Sequence, residues 1–446
     1  MTDSINEPIT DSRPGLPAST LRAAIGPGLL MAGAAVGVSH LVQSTRAGAE
    51  YGLAMIALVL LGCLLKYPFL EFGPRYAAAT GESLVAGYRR MGRWALALFA
   101  LITVTTMFIV TAAVTLVTAG LTGHLLGLDL SATALSALVL AACSLLLALG
   151  HYRTLDRVMK LVMAALALIT VLAVGLALAR VLGDPAAASE LGESLLHERL
   201  WTGATLAFVL ALLGWMPIPL DAAAWHSLWT IERARQTGHR PTLREADVDF
   251  RIGYLGATLL AVAFLLLGAL TMYGTGSEFA GGAVAFAAQF ADLYGAALGE
   301  GWRPLIVTAA LATMFSTTLT VIDAFPRVLR AMLEDAGGRA PGERDAVRQP
   351  GHRARYLVGL ALIAVGALVV IDRFGDGFTR LIDFITTVSF LAAPVIAWLN
   401  LRLLTGAWTP PEARPGPALR ALAWTGLVFL VAFSAIWIGW RLFGPA

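Results

Sequence analysis

The sequence has few charged residues. They make up 14% of its 446 residues, against roughly 25% in an average soluble domain, while 58% are hydrophobic and the mean hydropathy is +0.74. A soluble fold cannot bury that much apolar surface, so this class is excluded. The formal net charge is +3. The basic residues of the chain occupy short loops between apolar segments, and this distribution indicates membrane topology rather than nucleic-acid binding.

Cysteine is also scarce. The two cysteines, Cys63 and Cys143, lie inside apolar segments without CxxC spacing, which argues against a disulfide framework or a zinc site. The sequence lacks a GxxxxGK[ST] nucleotide-binding loop and a cluster of nucleophile, base and metal ligands. We therefore expect a protein that is not an enzyme, holds no cofactor and would draw on gradients for any transport.

Apolar runs long enough to cross a bilayer fill most of the chain. A helix needs about 20 residues to span the hydrocarbon core. Eleven such spans are predicted, near residues 24–46, 52–73, 94–120, 131–150, 157–180, 204–230, 252–274, 303–326, 356–371, 379–403 and 420–440. The fold class predicted is an all-α polytopic membrane protein, with the bilayer as a partner and a monomer as its plausible state.

The distribution of basic residues predicts the orientation. Most Arg and Lys residues fall in the loops after spans 2, 4, 6, 8 and 10, including Arg89, Arg153, Arg240, Arg344 and Arg414. Cytoplasmic loops are enriched in these residues. The sequence therefore predicts an inner (plasma) membrane protein of bacterial type, with a cytoplasmic N-terminus and an external C-terminus.

Eleven spans fit two inverted repeats of five helices and one added helix. The predicted divisions are a first repeat over residues 23–182, an external loop over 183–203, a second repeat over 204–405, and a linker with helix 11 over 406–446. Residues 1–22 are polar and lack the order of a signal peptide, so they are predicted to form a disordered cytoplasmic tail.

Helix-breaking residues interrupt spans 1 and 6, which open the two repeats. Span 6 contains Pro217 and Pro219, which delete backbone donors in mid-helix, and span 1 contains Gly33, Gly37 and Ser39. Unwound backbone at membrane depth is tolerated where it lines a cavity. These interruptions predict a substrate site between the two spans, although a structural kink or glycine packing explains either one alone.

Asp221 follows the prolines in the middle of an apolar span. A charge there costs several kcal/mol unless it is paired or faces water, so an intramembrane carboxylate suggests a functional site. The alternative is an N-cap for the second half of the helix, where negative charge is favoured. Lys66 and Glu71 are interpreted as a headgroup-level ion pair or an inner gate, and Arg46 and Glu50 as residues of the external mouth.

Several motifs resemble those of the Nramp divalent-metal transporters, which belong to the LeuT-type superfamily. They are Gly26-Pro27-Gly28, residues 47–52 (AGAEYG), Ala79-Thr80-Gly81, His226-Ser227 and Ser316-Thr317-Thr318. The resemblance covers nearly the whole chain. It implies a LeuT-type 5+5 inverted repeat with helices 1 and 6 broken and an eleventh helix added.

The chain also departs from that family. Where Nramp proteins carry Asp-Pro-Gly-Asn, this sequence has Gly37, Val38, Ser39 and His40, so both metal-binding side chains are replaced. The family's Met-Pro-His aligns with Met216-Pro217-Ile218 or, counted from His226-Ser227, with Pro219-Leu220-Asp221. Residues 94–120 hold no Asp, Glu, Lys, Arg or His, which argues against proton coupling through span 3.

The resemblance and the residues together predict a substrate site. Its members are Gly37, Ser39, His40, Met216, Pro217, Pro219, Asp221, Trp225 and Thr317. His40, Met216 and Asp221 are the candidate metal ligands, since imidazole, thioether and carboxylate suit transition metals. His226 is the candidate proton or pathway residue. Packing is the alternative for Met216, Trp225 and His226, and hydroxyls such as that of Thr317 often bond their own helix.

Three functions follow. The first is a secondary transporter of a small cationic solute, a divalent metal ion by family resemblance, with a rebuilt central site. The second is a transporter of a small organic or polar solute, favoured by the missing metal ligands and by the tryptophans beside the break. The third is a membrane sensor or scaffold that does not transport.

Overall fold

A computed structural model describes residues 24–149, 152–196, 202–276, 279–336, 352–374 and 377–443. The predicted tail, residues 1–22, lies outside them. The described residues form sixteen α-helices and no strand. The helices are α1 Pro27–Ala35, α2 Thr45–Tyr51, α3 Ala54–Thr80, α4 Leu84–Met91, α5 Arg93–Leu126, α6 Ala132–Leu149, α7 Tyr152–Leu182, α8 Pro185–Glu193, α9 Gly203–Trp215, α10 Ala222–Thr237, α11 Leu243–Thr271, α12 Ala283–Leu298, α13 Arg303–Ala336, α14 His352–Phe374, α15 Phe378–Thr405 and α16 Pro417–Phe443.

The spans predicted from apolar runs match these helices. Nine helices in the described residues are long and apolar enough to cross a membrane, namely α3, α5, α6, α7, α11, α13, α14, α15 and α16. The other two spans are each divided between shorter helices: α1 and α2 form span 1, and α9 and α10 form span 6.

The outer surface of this bundle is apolar. Large hydrophobic side chains such as Leu161, Leu259 and Val428 are 72%, 71% and 62% exposed. Exposed apolar surface on this scale is not found on soluble monomers. It is the surface expected of a multi-pass membrane protein, with the lipid as its solvent.

Both predicted interruptions are present, at slightly different positions from those expected. Span 1 leaves the helical conformation at Val36 and Gly37 and continues as a π-helix, Ser39–Ser44, before α2. Ser39 and His40, expected in the break, therefore lie just after it. Span 6 is non-helical from Met216 to Asp221, and the Met216–Pro217 peptide bond is cis.

The segment before α13 differs from the sequence interpretation. The predicted spans 252–274 and 303–326 leave residues 275–302 as a connecting loop, but residues 283–298 form helix α12. Phe286, Phe290 and Tyr294 recur every fourth residue on one face and are at most 1% exposed. This spacing is the signature of an amphipathic helix. Acidic residues in and beside this segment, such as Asp292 and Glu300, made its sequence resemble a polar loop.

Glycine allows span 1 to pack directly on α11. A Cβ at Gly253 would lie 2.1 Å from the backbone oxygen of Gly28, and a Cβ at Gly28 would lie 2.0 Å from that of Asp249. A second such contact lies between α2 and α11, where a Cβ at Gly48 would lie 1.9 Å from the Leu265 oxygen and one at Gly268 would lie 2.1 Å from the Thr45 oxygen. Small residues at helix crossings let backbones approach closely in membranes. Gly28 and Gly48, which belong to two of the motifs, therefore have a packing role.

We expect Gly253→Ala to destabilise the protein. The added methyl group must push α1 away from α11, and overpacking of this kind costs about 1–3 kcal/mol. Gly256→Ala is the matched control, because a Cβ at Gly256 meets nothing within 4 Å. It should be neutral or slightly stabilising. Thermal unfolding in detergent measures both. Equal melting temperatures for the two variants would contradict the close contact.

Candidate functional site

The two breaks face each other around a small cavity of about 20 Å³. Its walls come from spans 1, 3, 6 and 8, and its lining residues are Ala34, Ala35, Val38, Ser39, Val110, Val114, Trp215, Ile218, Pro219, Trp225 and Val321. A cavity needs about 10–15 Å³ to hold one water molecule. In this conformation the space fits a water or a bare ion and is too small for an organic solute.

The break in span 6 is held by Lys66, which lies in the middle of α3 and is 1% exposed. Its Nζ lies within hydrogen-bond distance of four backbone oxygens, which share its three N–H donors: those of Leu213 at 3.1 Å, Gly214 at 3.1 Å, Met216 at 3.0 Å and Ile218 at 2.9 Å. The last carbonyls of a helix lack intrahelical partners and carry partial negative charge. One ammonium group thus provides the hydrogen-bond donors for backbone oxygens at the end of α9 and in the unwound segment after it.

The break in span 1 is held by a hydroxyl group in an equivalent way. The Thr317 hydroxyl of α13 lies within hydrogen-bond distance of the oxygens of Gly33 at 2.9 Å, Val36 at 3.2 Å and, in its own helix, Thr313 at 3.1 Å, and its single proton serves one of them at a time. A Cβ at Gly37 would lie 2.7 Å from the Thr317 methyl carbon, so only glycine admits this side chain. Thr317 and Gly37, both predicted site residues, therefore shape the break.

His40 is buried and its hydrogen bonds do not run to Asp221. Nε2 lies 2.8 Å from the oxygen of Ala257 on α11, and Nδ1 lies 2.8 Å from Ser39 Oγ. A carbonyl only accepts, so we infer that Nε2 carries the proton. In the neutral ring the Nδ1 lone pair then faces the Ser39 hydroxyl. His40 and Asp221, both candidate metal ligands, therefore share no hydrogen bond among the described residues, because the two ring nitrogens of His40 face Ala257 and Ser39.

Asp221 stands at the start of α10 and is 6% exposed. Asp221 occupies the N-cap position of α10, as the N-cap alternative predicts, but its side chain makes no capping hydrogen bond; its carboxylate interacts instead with the backbone N–H groups of Asp221 and Ala222. Its carboxylate interacts electrostatically with the Lys66 ammonium. Asp221 does not line the cavity. Within the described residues no group of three His, Cys, Asp or Glu side chains converges as a metal site.

Other predicted residues surround the break in span 6. Met216 is fully buried, and its sulfur lies 3.8 Å from Ser44 Oγ, which donates to it. Pro219 and Trp225 line the cavity. The Trp225 ring packs edge-on against Phe325 at 5.1 Å, and its Nε1 has no hydrogen-bond partner in the described part of the chain.

His226 is completely buried beside the start of span 1. Neither ring nitrogen forms a hydrogen bond with the described residues, and Nε2 lies 3.7 Å from Asp249 Oδ2. Asp249 accepts from the backbone N–H groups of Gly26 at 2.9 Å and Gly28 at 2.6 Å. Asp249 thus holds the N-terminal end of α1, and His226 is its neighbour on α10.

An ion-pair cluster joins span 1 to span 10 at the other end. Arg46 on α2 binds Asp383 on α15 at 2.9 Å and Glu50 at 2.7 Å. Gln43 also donates to Asp383, at 3.1 Å. Sequence reasoning found Arg46 and Glu50 but missed Asp383, because the pairing crosses more than 300 residues of chain.

Lys66 was also misinterpreted from the sequence. Glu71 pairs with Arg75 at 2.6 Å, while Lys66 reaches the break in span 6, so the interpretation as an ion pair or inner gate with Glu71 is wrong. The available signal was its position. Lys66 lies 12 residues into the 27 of α3, too deep for a headgroup contact.

Comparison with solved structures defines the class. The manganese transporter of Eremococcus coleocola, in a mutant form, superposes with a TM-score of 0.70 at 16% identity, covering 96% of this chain and 89% of that one. The transporter MhsT in complex with L-phenylalanine superposes with a TM-score of 0.57 at 15% identity, covering 92% and 98%. The chain therefore has the LeuT-type fold, and the predicted fold class is confirmed.

Sequence comparison gives the family. The model of the Nramp family, described as natural resistance-associated macrophage protein-like, matches residues 28–439. An uncharacterized protein of Pasteurella multocida (strain Pm70) is 36% identical over 429 residues, covering 94% of this chain and 93% of that protein. The chain belongs to the Nramp family, as the motifs predicted.

We expect Lys66→Met to destabilise the protein by at least about 2 kcal/mol, because several buried carbonyls lose their donor and each unsatisfied group costs about 1–3 kcal/mol. Leu64→Met on the same helix, where the side chain is 54% exposed, is the control. Lys66→Arg should retain part of the stability. Thermal unfolding in detergent checks this, and a Lys66→Met melting temperature equal to that of the control would rule out the bracing role.

Proposed function

We propose that this protein is a secondary transporter that carries a small cation, a divalent metal ion in keeping with its family, through the cavity between the two breaks. The observation that carries the proposal is the pair of facing interruptions in spans 1 and 6, braced by Thr317 and Lys66. Broken helices at mid-membrane form the substrate sites of transporters with inverted repeats. The manganese transporter that shares the fold supports a metal ion as the solute.

The cation site in this proposal is rebuilt around Asp221. Asp221 supplies the carboxylate, and the Met216 sulfur and the Ser39 hydroxyl are neutral donors at the two breaks. The Met216 carbonyl is already bound by Lys66. We propose that binding draws Asp221 away from Lys66 and toward the cavity, so that Lys66 keeps the break in place while the carboxylate moves.

Two contacts are suited to alternating access. The Arg46–Asp383 ion pair closes one end between spans 1 and 10. At the other end Asp249, with His226 as its neighbour, holds the start of α1, and breaking the Asp249 hydrogen bonds would free that half-helix. His226 is proposed as the pathway residue there. In the proposed orientation the N-terminus is cytoplasmic, the C-terminus is external, and the Arg46 end is the external mouth.

Asp221→Asn should lower metal uptake at least about tenfold, since a charged interaction of about 1.5–3 kcal/mol is lost and each 1.4 kcal/mol is a factor of ten. Uptake of Mn²⁺, Mg²⁺ and Zn²⁺ into proteoliposomes measures this. Asp184→Asn, an exposed carboxylate outside the bundle core, is the matched control. Uptake that is saturable and unaffected by Asp221→Asn would disprove the rebuilt site.

The ion pair at the external mouth can be tested separately. Asp383→Asn should increase the labelling of a cysteine introduced at Thr386, a fully buried position on the same helix, by a membrane-impermeant maleimide. Glu50→Gln is the control, because it removes the other partner of Arg46. Glu50 lies on the same helix as Arg46 and joins no two spans, so this variant should change the labelling rate little. The same labelling rate in both variants would exclude gating by Asp383.

A small organic solute is the second candidate. The apolar cavity walls favour it, and so does the Nε1 of Trp225, which has no partner among the described residues and would be satisfied by an acceptor on the solute. The cavity must then widen in another conformation. If none of the three metals is transported, stabilisation by members of a metabolite library should be lost in Trp225→Phe. If the protein takes up a metal and Trp225→Phe leaves that uptake unchanged, this candidate is excluded.

A further inference from the structure

A second, larger cavity lies away from the two breaks. It is a groove of about 680 Å³ between the start of α5, the end of α13 and the start of α14. This volume is within the range of roughly 300–1,000 Å³ that ligand pockets occupy. None of its lining residues takes part in the proposed transport site or its gates.

The groove opens toward the lipid. Side chains along its edges are strongly exposed, with Val104 at 45%, Leu333 at 67% and Val358 at 68%. Its floor is made of small residues such as Ala97, Ala100 and Gly359. A Cβ at Gly359 would lie 3.4 Å from that of Pro326, so α13 and α14 touch there and close the floor.

Four arginines line one end of this groove. Arg89 lies in the last turn of α4, Arg93 at the start of α5, Arg330 near the end of α13 and Arg355 near the start of α14. Arg89 and Arg93 have no ion-pair partner within the described residues. The Arg330 Nε is buried without a hydrogen bond there, although Glu334 lies 3.7 Å away. The excess positive charge at this end favours an anion.

The charge and the apolar walls are arranged along the membrane normal. Val104 follows Arg93 by eleven residues and Leu362 follows Arg355 by seven, which correspond to about 16 Å and 10 Å of helix. The arginines mark the end where these helices leave the hydrocarbon core, and the apolar walls run from there into it. An occupant must be anionic at one end and hydrocarbon along its length.

We propose that this groove, bounded by α5, α13 and α14, binds one anionic phospholipid of the adjacent leaflet. Its phosphate meets the arginines, and one acyl chain lies along Ala97, Ala100 and Gly359. Basic pockets between transmembrane helices are known to bind acidic lipid headgroups. A free phosphate would leave the apolar walls unfilled, and a neutral lipid would leave the charges of Arg89 and Arg93 uncompensated.

The test uses purified, delipidated full-length protein in detergent. Dioleoylphosphatidylglycerol should raise the melting temperature saturably at low salt and less so at high salt, because charge attraction is screened. Dioleoylphosphatidylcholine, glycerol 1-phosphate and inorganic phosphate should not do so at the same concentrations. The same shift with the zwitterionic lipid, or with either headgroup compound alone, would overturn the proposal.

Two variants address the two halves of the groove. Arg89→Gln combined with Arg330→Gln should weaken phosphatidylglycerol binding by roughly 25-fold, at about 1 kcal/mol for each arginine. Ala97→Phe keeps the charge and fills the groove, so it should weaken binding of the lipid independently. The matched control combines Arg90→Gln with Arg420→Gln, two exposed arginines outside the groove. If both groove variants bind as the control does, the groove is not the site.

Discussion

Backbone carbonyls without helical partners are the constraint on which the rest of this structure depends. Breaking two helices at mid-membrane leaves polar groups where no lipid can satisfy them. Side chains from neighbouring spans supply hydrogen-bond donors to these oxygens, the Thr317 hydroxyl for span 1 and the Lys66 ammonium for span 6. Both donors come from unbroken helices, α13 and α3, so each break is tied to a rigid neighbour.

The Lys66 arrangement gives the site its electrostatic character. In transporters of this architecture, unwound carbonyls and half-helix ends coordinate cations. Here four such oxygens surround a tethered ammonium, and Asp221 is the nearby carboxylate that interacts with it. A cation in the cavity would therefore compete with Lys66 for Asp221.

Much of the fold was predictable because the bilayer imposes simple rules. Span length follows from hydrocarbon thickness, and two prolines two residues apart in span 6, Pro217 and Pro219, force an interruption. The site was harder to predict. Pro219, Ser39 and Trp225 do line the cavity, but His40 turns to Ala257 and Asp249 binds the start of α1. Those contacts join spans 1 and 7, and sequence spacing carries no information about which faces of distant helices meet.

By itself, the sequence determined that this is a membrane bundle with two interrupted spans, and its motifs determined the family, because hydropathy, proline and glycine act locally. The tertiary structure decided what each polar residue does. The sequence suggests that Lys66 lies at the headgroup level, but in the structure it contacts the break in span 6. It likewise suggests a loop for residues 283–298, which form a packed helix. A buried charge goes where unsatisfied carbonyls converge, and only the packing of the spans brings those carbonyls together.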